Sequence, residues 1–259
     1  MTASSTMLTG VWVIGVVLAC TGSAGVAAQA APGEVRISAI DVPRPMSVAA
    51  REVERQFGRV VTYEDLSYVA PSEIVDVTAQ VRRDGRFGER VYGMRNGGIS
   101  ISYTPTNTSI EAQVDEALSL LVAKWNESSQ SGHFTVGAVA GGHNLIPTAR
   151  KGPSESLEPD TPPLSARISF PSEERDGLNT IAAVAQAISS AAGRPVTPGM
   201  MPINLLNRAR LVVGAQDQVA REVLWNVLQA LDPSLSWQVL CGVGENAACA
   251  INIHPARKG

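Results

Sequence analysis

The tetrapeptide Ala149-Arg150-Lys151-Gly152 returns 107 positions later as Ala256-Arg257-Lys258-Gly259. Each copy follows a helical pattern opening on Gln-Val (Gln113-Val114 and Gln218-Val219) and then an apolar stretch containing Gly. Self-similarity at a fixed period constrains architecture before any single motif does, because each copy must be the same supersecondary unit. The chain is therefore expected to fold as two copies of one small module.

The segment between the copies agrees. Pro153 to Pro163 is rich in Pro, Ser and acids and nearly free of apolar residues, which predicts a semi-extended linker over 153–164. The first module is then 31–152 and the second 165–259. In the first, Val35 to Ile40 alternates like a strand, and Met46, Ala49, Ala50, Val53 and Phe57 recur at helical spacing up to Gly58. Arg59 to Tyr63 and Ile74 to Val77 read as strands, Val114 to Trp125 as the strongest amphipathic helix, and Phe134 to Ile146 as a hairpin. The second module repeats the order: strand Ala166 to Phe170, an Ala-rich helix ended by Gly193, short strands at Arg194 to Thr197 and Leu211 to Val213, a helix from Val219 to Leu231, and a hairpin from Trp237 to Ile253. The fold class read from this is α+β, with two tandem βαββαβ modules, each a small mixed sheet against two helices. Trp225 lies off the apolar stripe of its helix and reads as satellite packing. Aromatics are 5% of the chain, so the cores should be built of Val, Leu, Ile and Ala.

Residues 1 to 33 carry no Asp, Glu, Lys or Arg, and Leu8 to Ala19 is mostly apolar. A run of about a dozen apolar residues is short for a bilayer span but suits the centre of an export signal. Ala28-Gln29-Ala30 fits its cleavage site, so 1–30 reads as a signal peptide. Val17-Leu18-Ala19-Cys20 resembles a bacterial lipoprotein box, which makes Cys20 a candidate lipidation site. The localisation expected is periplasmic or secreted, with any membrane attachment through that lipid. Removal of Cys20 leaves Cys241 and Cys249. An even pair in an exported chain, each four positions from Glu245, is expected to form a disulfide across a hairpin turning at Gly244-Glu245-Asn246.

Ile40-Asp41-Val42-Pro43, then Ala49-Ala50-Arg51-Glu52-Val53-Glu54-Arg55-Gln56-Phe57-Gly58, then Val60-Val61-Thr62-Tyr63-Glu64-Asp65-Leu66, resembles the secretin and TonB short N-terminal domain. Ala183 to Ile188 with Gly193-Arg194-Pro195-Val196 looks like a weaker second instance. The resemblance covers residues 35 to 80 and the remainder by element order. It implies a small βαββαβ fold that docks or signals in the periplasm, with no catalytic residues to carry over. The chain departs from the family in having no pore or barrel region and in an excursion between Val81 and Thr108.

That excursion interleaves Arg82, Arg83, Arg86, Arg90 and Arg95 with Phe87 and Tyr92. Arg presents a planar fork that binds carboxylate or phosphate in bidentate fashion, so these seven residues are the candidate partner-binding patch, set against the plainer reading of a solvated hairpin. Nucleic acid is a poor partner for an exported chain of net charge −3. His133 and His143 could face each other across the first hairpin, but two His do not make a metal site. No metal or cofactor is expected. No nucleophile elbow, phosphate-binding loop or His-Glu-x-x-His motif occurs, and Glu64-Asp65, Asp115-Glu116 and Glu173-Glu174 read as solvated neighbours. The leading expectation is a bacterial, exported, non-enzymatic envelope protein docking on an outer-membrane pore, receptor or signalling component. The alternatives are a periplasmic small-ligand or glycan-binding protein using the cleft between modules and, third, an unrecognised hydrolase.

Overall fold

The computed structural model describes residues 33–81, 90–128, 131–139 and 141–256. The elements in chain order are β1 (Val35–Val42), α1 (Pro45–Phe57), β2 (Val61–Glu64), β3 (Ile74–Asp76), α2 (Thr78–Val81), β4 (Tyr92–Met94), β5 (Gly97–Tyr103), α3 (Ile110–Ser128), β6 (Gly132–Val139), β7 (Gly142–Lys151), β8 (Leu157–Pro159), β9 (Arg167–Asp176), α4 (Gly177–Ala192), β10 (Val196–Pro198), α5 (Ile203–Leu206), β11 (Arg210–Val219), α6 (Ala220–Leu231), β12 (Leu235–Cys241) and β13 (Cys249–Pro255). The fold is α+β, as its periodicities led one to expect. The signal peptide and Cys20 lie outside the described residues.

Helix boundaries follow local chemistry. Pro45 opens α1, where a missing N–H costs nothing, and Gly58 closes it at φ 65°, donating its N–H to the Glu54 carbonyl at 2.8 Å. The Asp176 carboxylate caps α4 by accepting the Asn179 N–H at 2.8 Å, and Gly193 ends that helix at φ 66°.

Both halves carry one pairing pattern. β1 pairs antiparallel with β5, and β9 with β11. β2 runs parallel to β7 in the hairpin β6–β7, and β10 parallel to β13 in the hairpin β12–β13. In each half two helices (α1 and α3, α4 and α6) pack between the ribbon and the strand triplet. The register sets His143 beside Val61 and Cys249 beside Val196.

The triplets join because β12 runs parallel to β2, with Gln238 beside Tyr63 and Val239 beside Glu64. The result is one sheet in the order β10-β13-β12-β2-β7-β6, with β8 added on β7. Successive side chains on a strand point to opposite faces. Val61 and Tyr63 belong to the core of α1 and α3, whereas neighbouring Val60 belongs to the core of α4 and α6. On β12, Trp237, Val239 and Cys241 face α4 and α6 while Leu240 packs on the other core. The two helix layers thus cover opposite faces of the shared sheet, and each overhangs the junction. At the outer edge, β10 carries Pro198 where β2 carries Tyr63, which removes an edge N–H and blunts that edge.

Three local expectations change. The partner of β1 is β5, inside the excursion, while Ile74–Asp76 pairs only with β4 in a small separate ribbon. Within the excursion, read above as a solvated hairpin, Asn96-Gly97 accordingly joins two strands that do not pair with each other. The Pro-rich segment is stitched to the first half, where β8 pairs β7 and Asp160 accepts the Ser67 N–H at 3.0 Å, before Leu164 enters the core of α4 and α6.

Candidate functional site

Most of the buried charge sits where β12 meets β2. Glu64 and Asp65 are 0% and 1% exposed, so the reading of this pair as solvated is corrected. Adjacent residues on a strand do point apart, but here both faces are covered. Glu64 takes two bonds from Arg221, at 2.5 and 2.9 Å, and one from the Asn144 amide at 2.7 Å. On the other face, Asp65 accepts from Arg44 at 2.6 Å, from the Tyr63 and Tyr68 hydroxyls at 2.8 and 2.9 Å, and from the Cys241 N–H at 3.0 Å. Burial and the Asp65 charge raise both phenols well above their ordinary pKa, which keeps them neutral donors. Burial works against charge on Arg44, but Asp65 outweighs it and holds the guanidinium above its usual value. A third carboxylate, Glu54, accepts the Val61 N–H at 3.1 Å and meets His254 Nε2 at 2.7 Å.

Trp225 completes the junction. It is 4% exposed, packs edge-on to Trp237 at 6.0 Å, and reaches over β7 so closely that a Cβ on Gly142 would stand 2.7 Å from its ring. Trp225 belongs to the core of α4 and α6, at the part of that core which extends over β7 of the first half.

Cys241 and Cys249 oppose each other on β12 and β13 and form the expected disulfide. Gly244 at φ 109° and Asn246 at φ 53° turn the loop between them.

Of the partner-binding candidates, Arg82, Arg83, Arg86 and Phe87 lie outside the described residues. Arg90, Tyr92 and Arg95 flank the β3–β4 ribbon. Tyr92 is 50% exposed, and its bond to Arg90 holds that guanidinium above its ordinary pKa. Arg95 turns back, donating from Nε to the Ser72 carbonyl at 2.8 Å. Arg90, Tyr92 and Arg95 are thus the described part of the patch and all three are exposed, with Arg95 alone tethered to the backbone.

His133 and His143 do not face each other: His133 opposes Ala149, and His143 opposes Ala138. His143 Nε2 instead meets Asp115 at 2.8 Å, a carboxylate on α3 that sequence order does not place nearby. Among the described residues no group of three His, Cys, Asp or Glu could hold a metal ion, and no helix is long and apolar enough to cross a membrane.

A cleft of about 510 Å³ lies between the halves, lined by Ser67, Arg150, Asp160, Arg194, Glu245 and Asn246 among others. Its cations are engaged. Arg194 donates to the Ala247 carbonyl at 3.2 and 3.0 Å and to Ser67 at 3.2 Å, and Arg150 to Glu158 at 2.9 Å. Burial lowers the Arg194 pKa, and the nearby Asp160 and Asp65 offset that only in part.

No protein-family model matches the chain, and neither do curated proteins or solved structures.

Proposed function

We propose that this chain is an exported bacterial envelope protein that acts by docking rather than by catalysis, built as two copies of a module resembling the secretin and TonB short N-terminal domain. The single observation that carries the reading is how the buried charges are used. Glu54, Glu64, Asp65, Arg44 and Arg221 are buried or partly buried charges of the kind catalysis uses, yet they form separate contacts on the two faces of the shared sheet, and each is bonded to structural partners at the junction. Such groups hold two halves in one register and leave no free acid–base pair there. What remains outward-facing and chemically distinctive is Arg90 with Tyr92 on the β3–β4 ribbon. Arg and Tyr are the side chains that most often dominate binding at interfaces. The partner this fits is an acidic surface on an outer-membrane pore, receptor or signalling protein, reached from the periplasmic side after removal of residues 1–30. Lipidation at Cys20 would tether the same module to the membrane.

The test is co-purification from the envelope of a Gram-negative host at native expression. Wild type should recover a defined envelope protein, and Arg90→Ser with Tyr92→Ser should lose it while remaining folded. Equal recovery by the double variant would reject the patch, and a chain retained wholly in the cytoplasm would reject export.

The small-ligand reading is weaker at the junction cleft, because the cations that would greet a ligand there already have protein partners.

A further inference from the structure

A smaller pocket, away from the junction cleft, is less complete. Its volume is about 200 Å³, and its walls include Tyr68, Ser72, Glu73, Arg95, Trp125 and Ser131. Glu73 closes the turn Pro71–Glu73. Its N–H is bonded to the Ala70 carbonyl at 3.0 Å, and its own carbonyl accepts the Arg95 N–H at 2.6 Å, so the backbone on both sides of the carboxyl is fixed. The residue is 5% exposed, and among the described residues neither buried carboxyl oxygen has a partner at full hydrogen-bond geometry, Ser131 and the Ala70 backbone being near enough only to lower its pKa in part. Every other strongly buried carboxylate discussed above has two or more partners. A buried, unpaired carboxyl is costly to keep and in native proteins calls for a specific explanation.

The groups around it are few. Burial pushes the Glu73 carboxyl up to about 7, with Ser131 and then Lys151 pulling it down and Glu155 adding to the rise. Glu155 is itself bonded to Ser72 across the pocket wall, by the Ser72 N–H at 2.9 Å and by its hydroxyl. No lysine or arginine closes on Glu73 as an ion pair within the described residues. Tyr68 and Trp125 offer aromatic surface of the kind that favours an ammonium group. Arg95 stands at the rim, its Nε on the Ser72 carbonyl. One pocket therefore offers an acid in need of a cation and, at its edge, a guanidinium fork.

We propose that this pocket binds a small α-amino acid, its ammonium on Glu73 and its carboxylate on Arg95. The ammonium supplies the counter-charge that Glu73 lacks, and rotation of the Glu73 side chain toward the pocket brings the two together. The fork of Arg95 suits a carboxylate in bidentate contact. The pocket volume confines the ligand to small side chains. Because bound ammonium favours the ionised carboxyl, binding near neutral pH releases a proton from Glu73.

The experiment is isothermal titration of the purified chain with glycine, L-alanine and L-serine, compared with ethylamine and acetate, in two buffers of different ionisation enthalpy. The amino acids should saturate one site, with ethylamine and acetate at least about tenfold weaker. Glu73→Gln and Arg95→Gln should each weaken binding by about tenfold or more, and Arg95→Lys should retain part of it. The heat should differ between buffers at neutral pH for wild type and not for Glu73→Gln. Circular dichroism on each variant separates lost binding from lost fold. Absence of saturable binding up to about 10 mM overturns the proposal. So does binding indifferent to Glu73→Gln, or ethylamine binding as tightly as alanine. No envelope partner enters the measurement, so its failure leaves the docking reading untouched.

Discussion

Arg221 on α6 holds Glu64 on β2 through two hydrogen bonds, at 2.5 and 2.9 Å, across 157 residues of sequence. Glu64 is fully buried and Arg221 nearly so, at 16% side-chain exposure. Removing one partner of such a pair strands the other charge, at about 3–5 kcal/mol. Arg221→Ala should therefore lower unfolding stability by about 3 kcal/mol, as read by urea denaturation. The double variant Arg221→Met with Glu64→Leu should recover much of that loss, since no charge is then stranded. A single variant as stable as wild type would mean that the pair does not hold the halves together.

Trp225 and Gly142 make the apolar counterpart of that contact. Trp225→Ala empties a filled site and should cost about 3–5 kcal/mol. Gly142→Ala should cost about 1–3 kcal/mol, because its Cβ would meet the indole at 2.7 Å. Combined, the two should be less than additive, since the smaller side chain at 225 makes room at 142. Additivity in a double-mutant cycle would contradict the contact.

The Cys241–Cys249 bridge closes a short loop, with a sequence separation of 8. Loop-closure entropy at that length is worth about 2.5 kcal/mol. Reduction, or Cys241→Ser with Cys249→Ser, should lower stability by about that amount. Native protein alkylated before reduction should show neither thiol modified.

Glu73 predicts a pH dependence of stability. Its carboxyl is raised from the ordinary value near 4.5 to about 7 in the fold. A raised pKa means that the folded state binds the proton more tightly than the unfolded state. Its contribution is therefore full below pH 4.5 and is lost as pH climbs through about 7. Melting temperature should fall between these limits in wild type, and Glu73→Gln should remove that part of the slope. An unchanged slope would place the titration elsewhere.

Local periodicity was enough to read α1, α3, α4 and α6, because one buried stripe marks each, and a left-handed glycine marks the ends of α1 and α4 at Gly58 and Gly193. The disulfide was legible from equal spacing about Glu245. β5 was missed although Ile99, Ile101 and Tyr103 alternate, because the surrounding Arg and Gly dominated the segment. The junction was not legible at all. Glu64 and Asp65 resemble solvated charge until β12 is laid beside β2 and α6 brings Arg221, 157 residues away, onto Glu64. Trp225 resembles a stray aromatic for the same reason. The core of α4 and α6 extends over strands of the first half, so the buried face of α6 is wider than the stripe that periodicity names. Glu73 gave no signal, because its isolation depends on what fails to reach it in three dimensions.

The docking account is tested most directly by placing a photo-crosslinking residue at Tyr92 in the full chain and irradiating intact cells. The account predicts one discrete adduct with an outer-membrane pore, receptor or signalling protein, lost on Arg90→Ser and absent when the probe stands at exposed Val48 on α1. An adduct pattern identical at Tyr92 and Val48, or none from the envelope at either position, would contradict it.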